Sequence, residues 1–575
     1  MMGGMTDPMA MREAPAVGAT APDEAGPEAC GGDGFAAVCA AVDALMIYAQ
    51  RRLMLDSRDV DWARNRLLEV LGLASYRSAG ADGMDGVRGG ADEADAVGPV
   101  APDASNATEP SGIPDAPDTP DLPLAALRRA VMAAGLVADA DWPSLADAVM
   151  GALTPPPSAL QDRFAAEERR NGGMAAMRWF YDVCCANDYV KRSALAGNPR
   201  FDSHGLTVTI NLAKPEFKDP KKAAAGTATA TGYPMCAISH DNEGFAGRNK
   251  RTLRTVPVTL DGEPWFWQFS PYGYFREHGI CVNMRHVPMR VDRRTFTRLM
   301  DFTDRFPGYF LGCNAALPRI GGSVLSQDHY QGGGEMLPMF RAPSYASFTV
   351  PGGGDVALEA LDWPGTAIRV VSANRDAIVE VCDRIRRAWF EYDDAARGIA
   401  SHDEAGNRQS ALSPSAVRTG RGWEMSLILR NNAVSAERPL GVFHVRPEFW
   451  CVKQEAIGLI EAQGLFILPG RLQGQLGAIE DALEAGGPLP EPLTAFRPIW
   501  DELVAALVGA DGCAHAHSVT GGFACRGFER EAVRAAIRDE FGSVCRRMLG
   551  DTAVFSDRAG LAGFLEGLGF ARKAS

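Results

Sequence analysis

The feature that most constrains this chain is a change of hydrophobic period after about Tyr189. From Leu124 to about Tyr189 apolar residues recur at helical spacing, with a break at Pro155-Pro156-Pro157. Beyond it, Leu206, Val208, Ile210 and Leu212 alternate with Thr207, Thr209 and Asn211, the pattern of a half-buried strand. Val256, Val258 and Leu260, then Trp265, Trp267 and Phe269, flank Asp261-Gly262, which reads as a two-residue hairpin. A helix carrying Phe296, Leu299, Met300 and Phe306 stops at Pro307-Gly308, and a strand from Tyr309 to Cys313 follows. A second set of strands is expected from about Ala367 to Leu472, around Ile368 to Val371, Met425 to Leu429 and Gly441 to Val445. Helices before and after a mixed middle make this an α+β chain.

At 575 residues there is ample material for a core, and roughly one domain per 150 residues allows three or four units. Residues 1–33, rich in Ala, Gly, Pro and acids, are expected to be disordered. A helical segment spans 34–75, in which Asp59 is the expected N-cap, Val60, Ala63, Leu67 and Val70 share a face, and Gly72 ends the helix. The Gly-, Asp-, Ala- and Pro-rich stretch 76–122 reads as a flexible insertion or linker, and 123–200 as a further helical segment. The tail 476–575 reads as helical and is expected to pack on the preceding α+β part; its His515-Ala516-His517 is taken as a surface turn rather than a metal site.

Composition narrows the function. The 12 cysteines show no CxxC spacing, the start has neither a basic leader nor an apolar one, and no apolar run approaches the length of a membrane helix, so reduced thiols in a cytoplasmic, membrane-free protein are expected. A formal charge of −14 argues against nucleic acid as a partner. Between Asp188 and Arg254, however, eleven Lys or Arg stand against six Asp or Glu, which suits a small polyanion.

The chemistry concentrates in Gly321-Gly322-Ser323-Val324-Leu325-Ser326-Gln327-Asp328-His329-Tyr330-Gln331-Gly332-Gly333. Glycines let backbone N–H groups approach a phosphate, and a neutral imidazole is a competent nucleophile towards phosphorus. Two positions apart on an extended segment, His329 and Gln331 point to the same side. One can attack a phosphoryl group while the other binds its oxygens, with Gly321, Gly322, Ser323 and the upstream Asn314 as further donors.

Many ordered blocks accompany this loop. They include Ile47-Tyr48-Ala49, Trp62-Ala63-Arg64-Asn65-Arg66-Leu67-Leu68, Ile210-Asn211-Leu212-Ala213-Lys214-Pro215-Glu216 with Asp219-Pro220-Lys221, and Asp241-Asn242-Glu243-Gly244-Phe245-Ala246-Gly247. Gln268-Phe269-Ser270-Pro271-Tyr272, Glu277-His278 and Arg285-His286-Val287-Pro288-Met289 follow. Leu429-Arg430-Asn431-Asn432, Pro439-Leu440-Gly441-Val442-Phe443-His444, and the run from Ile457-Gly458-Leu459-Ile460-Glu461 through Leu468-Pro469-Gly470-Arg471-Leu472 complete the set. Through almost its whole length the chain resembles class II galactose-1-phosphate uridylyltransferases of the histidine-triad superfamily.

The resemblance implies two histidine-triad-like antiparallel-sheet halves, 201–345 with the nucleophile loop and 346–475, flanked by the helical segments; no sequence repeat relates them. It implies ping-pong transfer of UMP from UDP-glucose to galactose 1-phosphate through a uridylyl-histidine at His329, with UDP-glucose, UDP-galactose and hexose 1-phosphates as ligands and no cofactor. The family pattern also nominates Lys214, Lys221, Ser270, Lys453 and Glu461 for nucleotide and sugar contacts. A homo-oligomer is left open.

The family's zinc ligands would fall at Cys236, at 239, at 327 and at His286, but this chain has Ser239 and Gln327, which are poor zinc ligands. A later HPH-like element reads His444-Val445-Arg446. No metal is therefore expected. Two other readings compete with an active transferase: a non-catalytic sugar-nucleotide-binding protein, and a nucleotide hydrolase or phosphorylase of the same superfamily.

Overall fold

The structure, a computed structural model, describes residues 32–77, 118–212, 232–322, 324–352, 354–510 and 527–573. Most of the expected disordered start and insertion, together with Lys214, Lys221, Ser323 and His515-Ala516-His517, lie outside the described residues.

The chain begins with a helical unit. Gly32–Arg52 packs on Asp121–Ala133, and Val60–Leu71 on Trp142–Leu153, around a core that includes Val42, Leu45, Leu67, Leu127, Val131 and Val149. Gly72 adopts φ 69° and returns its N–H to the carbonyls of Glu69 and Leu68, the left-handed stop expected of it. Asp59 occupies the N-cap position without a side-chain capping bond; Asp56 caps the short turn before it instead, accepting from the Arg58 N–H.

Fourteen strands among the described residues build two sheets. In chain order they are β1 (Arg200–Ser203), β2 (Leu206–Asn211), β3 (Val256–Leu260), β4 (Glu263–Phe269), β5 (Gly279–Asn283), β6 (Phe310–Gly312) and β7 (His329–Gly333). Then come β8 (Ser344–Thr349), β9 (Ala357–Leu361), β10 (Ala367–Ser372), β11 (Ser410–Thr419), β12 (Gly422–Asn431), β13 (Leu465–Pro469) and β14 (Ala571–Arg572). The small sheet runs β1-β2-β13, with β13 parallel to β2. Helix Arg530–Gly550 packs against β1 and β2. Thr207 and Thr209 are consequently buried along with the apolar residues beside them, so β2 is closed on both faces rather than half-buried.

The large sheet has the order β14-β8-β9-β10-β12-β11-β6-β7-β5-β4-β3, and every neighbouring pair is antiparallel. Two halves of identical connectivity lie within it. Strands β3, β4 and β5, helix Arg293–Arg305, then β6 and β7 are matched by β8, β9 and β10, helix Arg375–Phe390, then β11 and β12. The halves meet where β6 pairs with β11, Leu311 opposite Ala416. The α+β class and the two halves implied by the resemblance are therefore present, although no sequence repeat announces them.

Local chemistry accounts for several elements. Asp261 (φ 51°) and Gly262 (φ 72°) close the hairpin between β3 and β4, with Leu260 opposite Glu263. Helix Arg293–Arg305 starts on a reciprocal cap between Asp292 and Thr295 and buries Phe296, Leu299, Met300 and Phe302 against the first half. Trp265, Trp267 and Trp389 are fully buried in the same core, each contributing on the order of 2–3 kcal/mol of apolar burial.

One expected strand is absent. Gly441 to Val445 is irregular, because Gly441 adopts φ 143° and lies so close to the His444 ring that a Cβ there would stand 2.2 Å from Nδ1. Extended pairing is incompatible with that turn. No helix among the described residues is long and apolar enough to cross a membrane.

Candidate active site

The glycine loop enters β7 at His329, in the interior of the first half, where Val282 of β5 stands opposite His329 and Ile280 opposite Gln331. Strand alternation puts His329 and Gln331 on one face and Tyr330 on the other. Tyr330 is fully buried and stacks on Trp265 at 4.8 Å, and the Arg298 guanidinium lies 5.4 Å from that indole. The residue between the two candidate catalytic side chains is thus clamped in the core.

His329 is 5% exposed, and its Nδ1 lies 2.8 Å from the Gln327 carbonyl. A carbonyl can only accept, so Nδ1 carries the proton and Nε2 holds the free lone pair. Burial lowers the imidazole's affinity for a second proton, and the Gln327 carbonyl only partly offsets this. The ring is neutral near pH 7, with its nucleophilic nitrogen fixed by a backbone group.

That backbone group is itself held. The Gln327 side-chain amide donates to the carbonyls of Asn283 (2.7 Å) and Arg285 (3.1 Å) at the end of β5. The N–H of Asp328 donates to Val287 at 2.7 Å, and the N–H of Asn283 to Asp328 at 3.0 Å. On the core side the Asp328 carboxyl is 2% exposed and 3.6 Å from Arg298, which also pairs with Glu263 at 2.7 Å. Burial pushes Asp328 up to about 7 despite Arg298.

Gln331 donates from Nε2 to Asn314 Oδ1 at 3.0 Å, and the same oxygen accepts from the N–H of Leu459 at 3.1 Å. Asn314 therefore ties β7 to the start of the short helix Leu459–Ala462 in the second half. Beside Gln331, His278 stacks on Tyr274 at 4.8 Å, and burial pushes it down to about 4.

Gly321 has φ 89°, and a Cβ on it would fall 2.7 Å from Gly458 Cα and 2.8 Å from the Ile457 carbonyl oxygen. A Cβ on Gly322 would meet the carbonyls of Ala315 and Leu317 at 2.6 Å. Both positions need glycine because backbone closes on backbone there.

The remaining expected contact residues are differently placed. Lys453 is 2% exposed and ion-paired to Glu455 and Glu461, each at 2.9 Å; burial opposes its charge, but the two acids raise its pKa overall. Glu461 also accepts from the N–H of Gly458 at 2.7 Å, which fixes the segment packed on Gly321. Lys453 and Glu461 thus brace the wall of the loop. Ser270 follows β4, its N–H donating to the His278 carbonyl at 2.9 Å.

The expected metal positions are engaged as hydrogen-bonding groups. Ser239 Oγ accepts from the N–H of Cys236 (3.1 Å), donates to the Cys236 carbonyl (3.0 Å), and contacts Asp241, while Gln327 uses its amide as described. Arg446 turns to Asp551, with Nε 2.9 Å from the carboxylate. Among the described residues no group of three or more His, Cys, Asp and Glu could hold a metal ion. The donor set does not fit a zinc.

Sequence reading singled out Gln327 as a hydrogen-bonded brace but not its partners on β5, nor Asp328 with Arg298, nor the Leu459 N–H. Asp328 adjoins the nucleophile, a local signal; Arg298, the β5 carbonyls and the Leu459 N–H come from distant segments, for which no local signal exists.

Known proteins are similar to this chain. The family model described as "Galactose-1-phosphate uridyl transferase, N-terminal domain" matches residues 122–288. A galactose-1-phosphate uridylyltransferase of Bifidobacterium longum subsp. longum is 58% identical over 541 residues, 94% of this chain and 100% of that protein. Proteins of the same name from Halalkalibacterium halodurans and Pediococcus pentosaceus are each 36% identical, covering 71% and 76% of this chain and 79% and 88% of theirs.

Proposed function

The chain belongs to the galactose-1-phosphate uridylyltransferase family, and from that premise we propose that it moves a uridylyl group from UDP-glucose to galactose 1-phosphate by way of His329. The observation that carries this reading is the bond from His329 Nδ1 to the Gln327 carbonyl, which leaves a neutral, buried Nε2 as the nucleophile.

In the first half-reaction the Nε2 lone pair forms a P–N bond to the α-phosphorus. The bond from that phosphorus to the bridging oxygen breaks, and glucose 1-phosphate leaves with the electron pair. The imidazole becomes a uridylyl-imidazolium whose positive charge is met by the Gln327 carbonyl through the Nδ1 proton. In the second half-reaction a phosphate oxygen of the acceptor attacks, the P–N bond breaks, and its electron pair returns to Nε2. The acceptor oxygen is already anionic, so neither step needs a general base. Gln331, set by Asn314, is placed to donate to the phosphoryl oxygens as charge builds on them, together with N–H groups of the glycine loop.

A ping-pong route makes the first half-reaction independent of the acceptor. Labelled glucose 1-phosphate is expected to exchange into UDP-glucose with galactose 1-phosphate absent, and exchange that requires galactose 1-phosphate would remove the covalent reading.

The pH profile follows from the direction of the His329 shift. Because its pKa in the folded chain lies below 6.5, the neutral nucleophile persists as pH falls through 6.5 and is lost only at lower pH. Pre-steady-state uridylylation by UDP-glucose is expected to stay level from pH 8 to below 6.5. A fall centred at 6.5 or above would mean a solvated imidazole.

The hydrogen-bonded Ser239 and Gln327 further favour metal-free action. Elemental analysis of protein purified without added metal is expected to give well under one zinc per chain, with chelator leaving the rate unchanged. Stoichiometric zinc at Cys236 and His286 would contradict this.

A further inference from the structure

His278 is a buried imidazole to which the transfer chemistry gives no part. It stands one residue before β5, and in that strand's register it falls opposite Gly333, as Gly279 stands opposite Gly332 and Ile280 opposite Gln331. Residues two apart on a strand share a face, so His278 projects on the same side of the sheet as Gln331 and His329, diagonally across from Gln331. Gly333 brings no side chain to that spot; a Cβ there would stand 2.7 Å from the Phe275 ring and 2.6 Å from the Glu277 carbonyl oxygen. Phe275 fills the space instead, its ring 4.7 Å from that of His278, with Tyr274 at 4.8 Å. Glu277, the residue before, is held at φ 59°, a left-handed conformation that a side chain other than glycine's adopts only at a cost.

Both ring nitrogens of His278 are buried, and neither makes a well-formed hydrogen bond. An unpaired N–H in the interior is destabilising, and a phenyl ring would serve the stack without that cost. Nitrogens so covered do not meet a substrate. Gln331 is a polar side chain near enough to act on the ring, and it offsets only part of the burial that pushes His278 down to about 4. The imidazole is therefore neutral near pH 7, with one N–H to donate.

Gln331 has an acceptor for that N–H. The Leu459 N–H and Gln331 Nε2 both donate to Asn314 Oδ1, which turns the nitrogen end of the Gln331 amide towards Asn314. One Nε2 hydrogen is used there, and Oε1 and the second Nε2 hydrogen remain. A donor on Oε1 stops the amide from turning over and leaves the second hydrogen for the phosphoryl group. Turned over, the amide would set an oxygen against anionic oxygens.

We propose that His278 is a positioning residue for the transfer: its N–H holds Gln331 Oε1, so that the amide keeps Nε2 towards the phosphoryl oxygens. This rests on the transfer reading above and gives the Gln331 amide a second anchor besides Asn314.

The test is single-turnover uridylylation of the full chain by UDP-glucose, with the rate and the half-saturating concentration read separately. His278→Phe keeps an aromatic ring against Tyr274 and Phe275 and removes the donor. It is expected to slow the step by about tenfold to a hundredfold, the scale set by a misplaced group at a reacting centre, with half-saturation within about twofold and the melting transition not lowered. In a Gln331→Ala background the same change is expected to cost less than about twofold more, since no amide is left to set. His278→Asn and His278→Gln return an amide N–H near the places of Nδ1 and Nε2, and at least one of them is expected to recover about fivefold or more over His278→Phe. Should His278→Phe not fold, His278→Leu takes its place in each comparison.

A rate within about threefold of the parent's, an equal loss in the Gln331→Ala background, or recovery by neither amide variant would overturn the proposal. A parent chain that takes no uridylyl group would remove the transfer reading and this inference with it. A parent chain that labels normally beside an unaffected His278→Phe would remove this inference alone.

Discussion

His329→Ala is expected to abolish acceptor-free exchange and covalent labelling together, lowering turnover by at least about 10⁴-fold, the scale seen when a nucleophile is removed from a working site. The group lost is the only side chain among the described residues of the loop with a free lone pair of suitable basicity, since Nδ1 is committed to the Gln327 carbonyl and Nε2 is not. The fold should survive, because the strand is anchored from its other face by Tyr330 on Trp265 and by the pairing of β7 with β5 and β6. A melting transition within a few degrees of the parent's, with UDP-glucose still bound, would locate the defect in chemistry. Residual exchange at a tenth of the parent rate would show that another residue attacks phosphorus.

Gln331→Ala is expected to slow both half-reactions by about two to three orders of magnitude, the usual cost of one preorganised donor at a developing oxyanion. The effect should fall on kcat more than on KM, since the oxygens gain charge only on the way to the transition state. Gln331→Glu should be at least as slow, because a carboxylate of the same length repels the phosphoryl oxygens. A merely structural role gives a different signature. Losing the bond to Asn314 Oδ1 would then lower the melting transition, and Gln331→Glu, which also cannot donate, would do so equally while leaving kcat within a few-fold of the parent.

Much of the fold was legible because its signals are local. Asp261-Gly262 turns where two positive φ values are needed, Gly72 stops its helix in the left-handed region, and alternation identifies β2, β3 and β4. Gly441 to Val445 shows why alternation alone misleads. The apolar spacing is that of a strand, but the φ of Gly441 and its contact with the His444 ring force a turn. Long-range pairing left no local trace. Nothing near Leu206 foretells its parallel partner β13, and β6 joins β11 through backbone bonds that any sequence of the right length could make.

The candidate site divides in the same way. His329 and Gln331 were legible from a spacing of two on an extended segment next to glycines. The carbonyl at 327 was legible as the group that orients His329, and Gln327 as a hydrogen-bonded brace, but their partners were not, because the amide of Gln327 reaches β5 and Asn314 reaches the N–H of Leu459 only once the chain is folded. Lys453 and Glu461, nominated for substrate contact, lie beside the loop paired with each other at 2.9 Å, and Lys453 also pairs with Glu455, contacts that no local pattern announces.

The most direct test of the account is the mass of the chain after incubation with UDP-glucose alone, followed by peptide mapping. The account predicts the added mass of one uridylyl group, carried by the peptide containing His329 and released by mild acid as a phosphoramidate should be, with no addition to the His329→Ala chain. UDP-glucose bound without any added mass, or the same addition found in the His329→Ala chain, would contradict it.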